Sequence, residues 1–267
     1  PMMEDPEGPE TCNTYNMLKL SRLLHNKSHD PKYLEYYERG LFNHILSSQH
    51  PVTGGLVYFT SMRPNHYRTY SQVHDGMWCC VGPGIESQSK YGEYIYTYDY
   101  SENKTPELFV NLFVSADLNW EEEKIVLSQQ TQFPDESTTT IVVNSDKKFV
   151  LNLRHPEWAK NGTVEIYLNG KRVHRLKKSK NSSGSYLPIE RDWKAGDTIE
   201  YKFSMTTALE QLPDGKDFYS VLYGPIVLAA KTNPFRGEKL SYFADDSRMG
   251  HIANGQLCSI EQAPFIL

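Results

Sequence analysis

Apolar residues recur along this chain at two periods, and the change comes near residue 100. In residues 11–25 they fall at Met17, Leu18, Leu20, Leu23 and Leu24, the spacing of a helix with a buried stripe. A second helix is predicted to open with Asp30 as N-cap and Pro31 in the first turn. An aspartate there accepts an orphan N–H, and proline gives up a donor that the first turn leaves unused. Its apolar stripe is Leu34, Tyr37, Leu41 and Ile45. A third helix is expected after Gly84, with Ile85, Tyr91 and Ile95 in the pattern. Residues 50–82 form a long connection that holds the strand-like GGLVYFT and the unusual WCCVGPG. Loops of that length are usually functional or disordered.

From about residue 106 the runs become short and β-rich: LFVNLFV, KIVLSQQTQF, TTTIVVN, KFVLNLR, TVEIYLNG, DTIEYKFS and FYSVLYGPIVLAA. Asn169 and Gly170 signal a tight hairpin. Several strands at this spacing predict an antiparallel β-sandwich. KKSKNSSGS reads as a mobile hairpin loop, and residues 232–267 as a tail or linker on the sandwich. The expected fold class is therefore α+β and multidomain: a helical part over 1–98, a sandwich over 99–231, and the tail. Three helices with long loops bury their faces poorly, and PMMEDPEGPE does not read as a natural start. Both lead to the expectation of a piece of a longer protein with a larger helical domain.

Composition narrows the function classes. The net charge is −5, from 33 acidic and 28 basic residues, so nucleic acid is a poor partner. No stretch approaches the roughly 20 apolar residues of a membrane span. The chain holds 18 tyrosines, a residue that suits sugars but is also common in β proteins.

Soft ligands concentrate at Glu10, Thr11, Cys12 and at the vicinal pair Cys79, Cys80. Three thiolates and a carboxylate make a plausible tetrahedral Zn²⁺ set. A disulfide within the vicinal pair would be strained, since adjacent Cα atoms lie about 3.8 Å apart and disulfides need about 4.4 Å or more. Structural and catalytic zinc stand level on spacing alone. The glycine-containing turn and helix start after the pair tilt the balance to chemistry, because a helix N-terminus stabilises a thiolate. Cys258, alone in the tail, reads as a buried free cysteine, and Asp245 and Asp246 as a solvated loop. The histidines form no metal-binding spacing. Glu38 lies on the apolar stripe of its helix, so it is either paired with a basic residue or aimed into a polar cavity. Tyr58 reads from the residues alone as a core tyrosine.

ETCNTYNMLKLSRLL, YYERGLFNHILSSQ, GGLVYFT, HYRTYS, WCCVGPGIES and YGPIVLAA together resemble glycoside hydrolase family 127 and its relative family 146, enzymes of the β-L-arabinofuranosidase type. The resemblance covers roughly residues 7–255. It implies a segment of an (α/α)₆ barrel followed by β-sandwich domains. It also implies Zn²⁺ on Glu10, Cys12, Cys79 and Cys80, with Cys79 the nucleophile, and substrate-binding roles for Glu38 and Tyr58. The reaction it implies is a retaining release of β-L-arabinofuranosyl residues from an arabinose-containing oligosaccharide or polysaccharide. The family's acid/base glutamate lies upstream of the E-x-C motif, farther than this chain extends, so the chain alone is expected to be inactive. A periplasmic or extracytoplasmic setting fits the family's role; the oligomeric state is not implied. Two other classes compete: a noncatalytic carbohydrate-binding sandwich with Trp120, Trp158 and Trp193 as candidate platform residues, and a structural zinc protein.

Overall fold

The computed structural model describes residues 7–62, 66–72, 74–159, 163–177, 184–213 and 218–229. KKSKNSSGS apart from its ends, residues 232–267 with Cys258, and the Asp245, Asp246 pair lie outside them.

Helix α1 spans Thr11–Ser28 and ends on His29 in the left-handed region, whose N–H returns to the His25 carbonyl. The face it buries is Thr11, Tyr15, Leu18, Ser21 and His25. This corrects the predicted stripe: of its five residues only Leu18 is buried, while Met17, Leu20, Leu23 and Leu24 face solvent. Both faces have the same period, and α1 turns its polar and aromatic one to its neighbours. Helix α2, Lys32–Gly40, continues through a π-helical turn, Leu41–Ile45, and a 3-10 turn, Leu46–Ser48. The Asp30 carboxylate accepts the Lys32 N–H at 3.1 Å, as a cap should. The stripe Leu34, Tyr37, Leu41 and Ile45 is buried as expected, against Tyr15, Leu18, Tyr94 and Leu112. Helix α3, Val81–Gln88, starts before Gly84. Pro83 fits its first turn, which needs no N–H donor there. Ile85 is exposed, and Tyr91 and Ile95 lie beyond the helix end.

Among the described residues thirteen strands follow: β1 Tyr96–Tyr100, β2 Pro106–Val110, β3 Ala116–Trp120, β4 Ile125–Thr131, β5 Thr138–Val143, β6 Lys147–His155, β7 Thr163–Leu168, β8 Lys171–Lys177, β9 Ser185–Trp193, β10 Asp197–Phe203, β11 Thr207–Gln211, β12 Tyr219–Tyr223 and β13 Ile226–Val227. They form a four-stranded sheet in the order β1-β2-β6-β9, a six-stranded sheet in the order β3-β4-β5-β10-β7-β8, and a small sheet of β11-β12-β13. The first two close a sandwich over one core that includes Leu151, Trp193, Ile141, Ile199 and Phe113. β5 and β10 alternate buried and half-buried residues, the mark of a sheet with one covered face. Asn169 and Gly170, both at positive φ, turn β7 into β8. Two expectations change. β2 and β6 run parallel, because the connection between them crosses to the other sheet to form β3, β4 and β5. FYSVLYGPIVLAA contributes β12 and β13 to the separate small sheet rather than to the sandwich.

The helical part rests on the outer face of the four-stranded sheet. His29 stacks on Phe109 of β2, with ring centroids 4.7 Å apart. The His25 ring lies 2.9 Å from the Tyr186 hydroxyl of β9, which in turn donates to Asn111 at 2.5 Å. Double coverage explains why the C-terminal half of β6 is buried on both faces. Among the described residues, no helix is long and apolar enough to cross a membrane.

Candidate metal centre

Two helix beginnings are drawn to one place by the stretch that joins them. The segment around Leu56–Thr60 lies against the chain entering α1: Glu10 bridges Phe59, Thr60 N–H donates to Pro9 at 3.1 Å, and Thr11 N–H donates to Tyr58 at 2.9 Å. The Thr11 hydroxyl adds a buried bond to the Val57 carbonyl at 2.7 Å. Gly8 makes this approach possible: its φ is +78°, and a Cβ there would fall 2.2 Å from the Thr60 carbonyl oxygen. On the other side Gly84 lets α3 close onto Leu56, whose Cδ1 would lie 2.5 Å from an added Cβ. Tyr15 of α1 donates to the Glu86 carboxylate of α3, tying the two helices directly.

Cys12 thus sits in the first turn of α1, and Cys79 and Cys80 immediately precede α3. Their three sulfur atoms lie within 4.8 Å of one another. Cys12 Sγ is 3.6 Å from Cys79 Sγ, and Cys79 Sγ is 4.0 Å from Cys80 Sγ. All three cysteines are unbridged. Glu10 Oε2 is 3.5 Å from Cys12 Sγ, and the Cys12 N–H points at Cys80 Sγ from 3.4 Å. Cys80 is buried, Cys12 half-buried and Cys79 exposed.

Burial, and then the neighbouring Cys80 and Cys79, push the Cys12 thiol well above its usual range. Burial raises Cys80 to about 11, against the pull of the Cys12 N–H. Three adjacent sulfurs cannot all carry negative charge without a compensating cation. The spacing suits one: tetrahedral zinc bonds of about 2.3 Å to sulfur place ligand atoms about 3.8 Å apart. Cys12, Cys79 and Cys80 therefore form a group that could hold a metal ion, at the starts of two helices and with the Glu10 carboxylate beside Cys12.

Tyr58 joins this cluster. Its hydroxyl bonds first to Cys79 and also to Glu10, and with burial these contacts hold its proton far above the usual range. Glu38 does not join it. It is buried on the sheet side of α2, where Arg154 lies 3.0 Å from Oε1 and the Trp158 indole N–H donates to Oε2 at 2.8 Å. Both alternatives open in the sequence are met: Glu38 is in the ion pair and also lines a cavity of about 560 Å³ with Glu35, Arg39 and Trp158. The packing roles of Thr11 and Gly84, and Arg154 itself, were not apparent in the sequence. Arg154 left a trace there, as a cation inside the apolar run KFVLNLR that needs an acidic partner.

The fold is shared with a solved glycoside hydrolase, which superposes with a TM-score of 0.66 at 23% identity, covering 82% of this chain and 37% of that chain. The chain belongs to the β-L-arabinofuranosidase family GH127: the family's catalytic domain matches residues 2–93 and its middle domain residues 107–205. A domain of unknown function, DUF4986, matches residues 208–267. A GH127 β-arabinofuranosidase aligns with a TM-score of 0.69 at 24% identity, over 82% of this chain and 36% of that one. Ara127N-Se, a GH127 β-L-arabinofuranosidase from Geobacillus stearothermophilus T6, aligns with a TM-score of 0.67 at 24% identity, over 84% of this chain and 36% of that one. This chain thus spans little more than a third of the solved structures it matches. No curated protein matches it.

Proposed function

We propose that this chain carries the nucleophile and metal site of a retaining glycoside hydrolase that releases β-L-arabinofuranosyl residues from arabinose-containing glycans of plant type. The observation that carries the reading is the convergence of Cys12, Cys79 and Cys80 beside Glu10 and Tyr58. Residues 1–98 are then a segment of an (α/α)₆ barrel, residues 99–231 its sandwich, and residues 232–267 the tail. Glu10, Cys12, Cys79 and Cys80 are the zinc ligands. When bound, zinc supplies the positive charge that keeps the thiols ionised at neutral pH.

Cys79 is the nucleophile, being the exposed thiol of the three. Its sulfur attacks the anomeric carbon. A C–S bond forms while the glycosidic C–O bond breaks, and a general acid protonates the leaving oxygen. Water then attacks the same carbon from the opposite side, its proton passes to the resulting base, and the C–S bond breaks to return the thiolate. Two inversions leave the configuration retained; a thiolate takes the place of the usual nucleophilic carboxylate. Tyr58 orients Cys79 through its hydroxyl. Glu38 and Tyr58 are the substrate-binding residues; Glu38, paired with Arg154, lines an open cavity with Trp158. Glu10 is committed to the metal set, so no second carboxylate stands ready as acid/base among the described residues of this centre, and the chain alone is inactive.

The test is turnover of an aryl β-L-arabinofuranoside, with the first product's configuration read by NMR. This chain alone is expected to give no turnover. A polypeptide that continues it upstream to the length of its solved relatives is expected to turn over with retention, and Cys79→Ser to abolish the reaction. An inverted first product, or turnover that survives Cys79→Ser, would overturn the mechanism; turnover by this chain alone would overturn its inactivity.

A further inference from the structure

Away from the thiols, the sandwich has an open end. β1 is the edge strand of one sheet and β3 of the other. Along β1 the side chains alternate, so Tyr96, Tyr98 and Tyr100 share one face, and Thr97 and Asp99 the other. The second face is taken up by structural contacts: Thr97 accepts a bond from Asn111 at 3.0 Å, and Asp99 lies 3.5 Å from His29. The tyrosine face turns toward the sandwich interior, since Tyr96 packs on its core. Farther along the strand the cover runs out. Tyr98 is 60% exposed and Tyr100 43% exposed.

These two rings flank Trp120 at the end of β3, with centroids 4.6 Å and 5.8 Å from it. A cavity of about 250 Å³ opens beside them, floored by Leu108 and Leu118 and edged by Asn119 and Glu122. The tryptophans behave otherwise than a surface platform requires. Trp193 is fully buried and donates to the Phe149 carbonyl, and Trp158 is held by Glu38. The aromatic surface is instead built from two tyrosines with Trp120 behind them.

The lining selects a class of ligand. Glu122 is the charged side chain of the cavity lining, Glu123 engages the neighbouring Tyr100 hydroxyl, and the chain's net charge is −5, so a polyanion is repelled. Aromatic rings offer a flat apolar surface, while Asn119, Glu122 and the phenol hydroxyls offer donors and acceptors around it. A neutral polyhydroxylated ring, apolar on its C–H face and hydroxylated at its edge, meets both demands. An apolar peptide would leave the polar rim unanswered. We infer that the cleft lined by Tyr98, Trp120 and Asn119, with the Tyr100 ring packed against Trp120 beside it, is a noncatalytic binding site for a neutral oligosaccharide. This rests on the reading that the chain serves a glycan-degrading enzyme, and it adds a second point of attachment to the same polymer.

The test is affinity electrophoresis of the full chain through gels containing a neutral arabinose-rich plant polysaccharide, with a polyuronate gel as control. Wild type and Cys79→Ser are expected to be retarded equally in the neutral gel. The double variant Tyr98→Ala, Tyr100→Ala should bind about tenfold more weakly or worse. Both tyrosines are exposed, and an unchanged urea midpoint would confirm that the double variant folds. No retardation of wild type, or equal retardation of the double variant, overturns the inference. So does retardation lost with Cys79→Ser and kept by the double variant, which would move binding to the thiol centre. Concentration-dependent dimerisation of wild type, lost in the double variant without any glycan retardation, would make the patch a contact between copies and also overturn it. Failed turnover by the polypeptide extended upstream, with retardation of this chain intact, would count against the hydrolase reading alone.

Discussion

Glu38 and Arg154, 116 residues apart in sequence, meet inside the protein with each carboxylate oxygen 3.0 Å from a guanidinium nitrogen. Arg154 also takes Glu35 at 2.9 Å and donates to the Asn111 carbonyl at 3.1 Å. Burial works against its charge, but Glu35 and Glu38 outweigh it and raise its pKa. Burial likewise raises Glu35, although Arg154 opposes it. Arg154→Met leaves two buried carboxylates without a cation, and should cost about 3–5 kcal/mol in urea unfolding. Glu38→Gln sets one amide N–H against an Arg154 or Trp158 donor but leaves Glu35 as counter-charge, so a smaller loss of about 1–3 kcal/mol is expected. Similar losses in the two variants would contradict this account of the junction.

Metal content tests the thiol centre. Reduced, chelator-washed protein reloaded with zinc is expected to hold about one ion per chain. Cys80→Ser should hold none under the same conditions, and zinc should raise the melting temperature of wild type only. Equal zinc in both would show that the ion sits elsewhere.

Gly84 and Gly82 form a matched pair of substitutions within α3. A Cβ on Gly84 would press on Leu56, which is only 8% exposed, whereas one on Gly82 meets nothing within 4 Å beyond its chain neighbours. Gly84→Ala should therefore destabilise by about 1–3 kcal/mol and weaken zinc binding, since Leu56 adjoins the segment that holds Thr11. Gly82→Ala should cost less than about 1 kcal/mol, the gain in helix propensity being offset by crowding of a Cβ against the following Pro83 ring. Equilibrium unfolding and zinc titration of the two variants check this, and the reverse order would refute the close approach of α3 to Leu56.

Stability should fall in mild acid through two histidines. Burial, then His29 and Arg154, lowers His25 from 6.5 to about 4; burial, then Arg68, lowers His44 to about 4. The folded protein thus holds both neutral where the unfolded chain takes up protons. Their contribution is complete above pH 6.5, declines as the pH falls, and is gone below about 4. At pH 5 each accounts for about 2 kcal/mol. His44→Gln should halve this part of the drop in urea stability between pH 7 and pH 5; an unchanged drop would exclude His44 as a contributor.

The thiol residues were legible because their chemistry is local: a carboxylate two residues from a thiol, and two adjacent thiols before a glycine-containing turn. Tyr58 was legible only through the family resemblance, since GGLVYFT alone reads as core. Helix α2 announced itself by its cap and stripe. The buried face of α1 did not, because the leucines it exposes and the face with Tyr15 and His25 share one period, and only the neighbours decide between them. Three of the strands not anticipated, β1, β3 and β9, lie at sheet edges. YTYDY, ADLNW and SYLPIERDW carry too many polar residues to signal burial, and Pro188 is tolerated in β9 because an edge strand has one side without a ladder. The Glu38–Arg154 pair was half visible, as two charges in apolar runs with nothing in the sequence to join them.

The Arg154 junction also bears on how the protein comes apart. A cut near residue 98 would separate helices from sandwich along the boundary where the sequence pattern changes. It would also leave a fully buried guanidinium bare on one piece, its two carboxylates on the other, and His29 and His25 without Phe109 and Tyr186. Neither piece inherits a self-sufficient interior. The unit of cooperativity straddles that boundary, and the helices and the four-stranded sheet are expected to melt as one body.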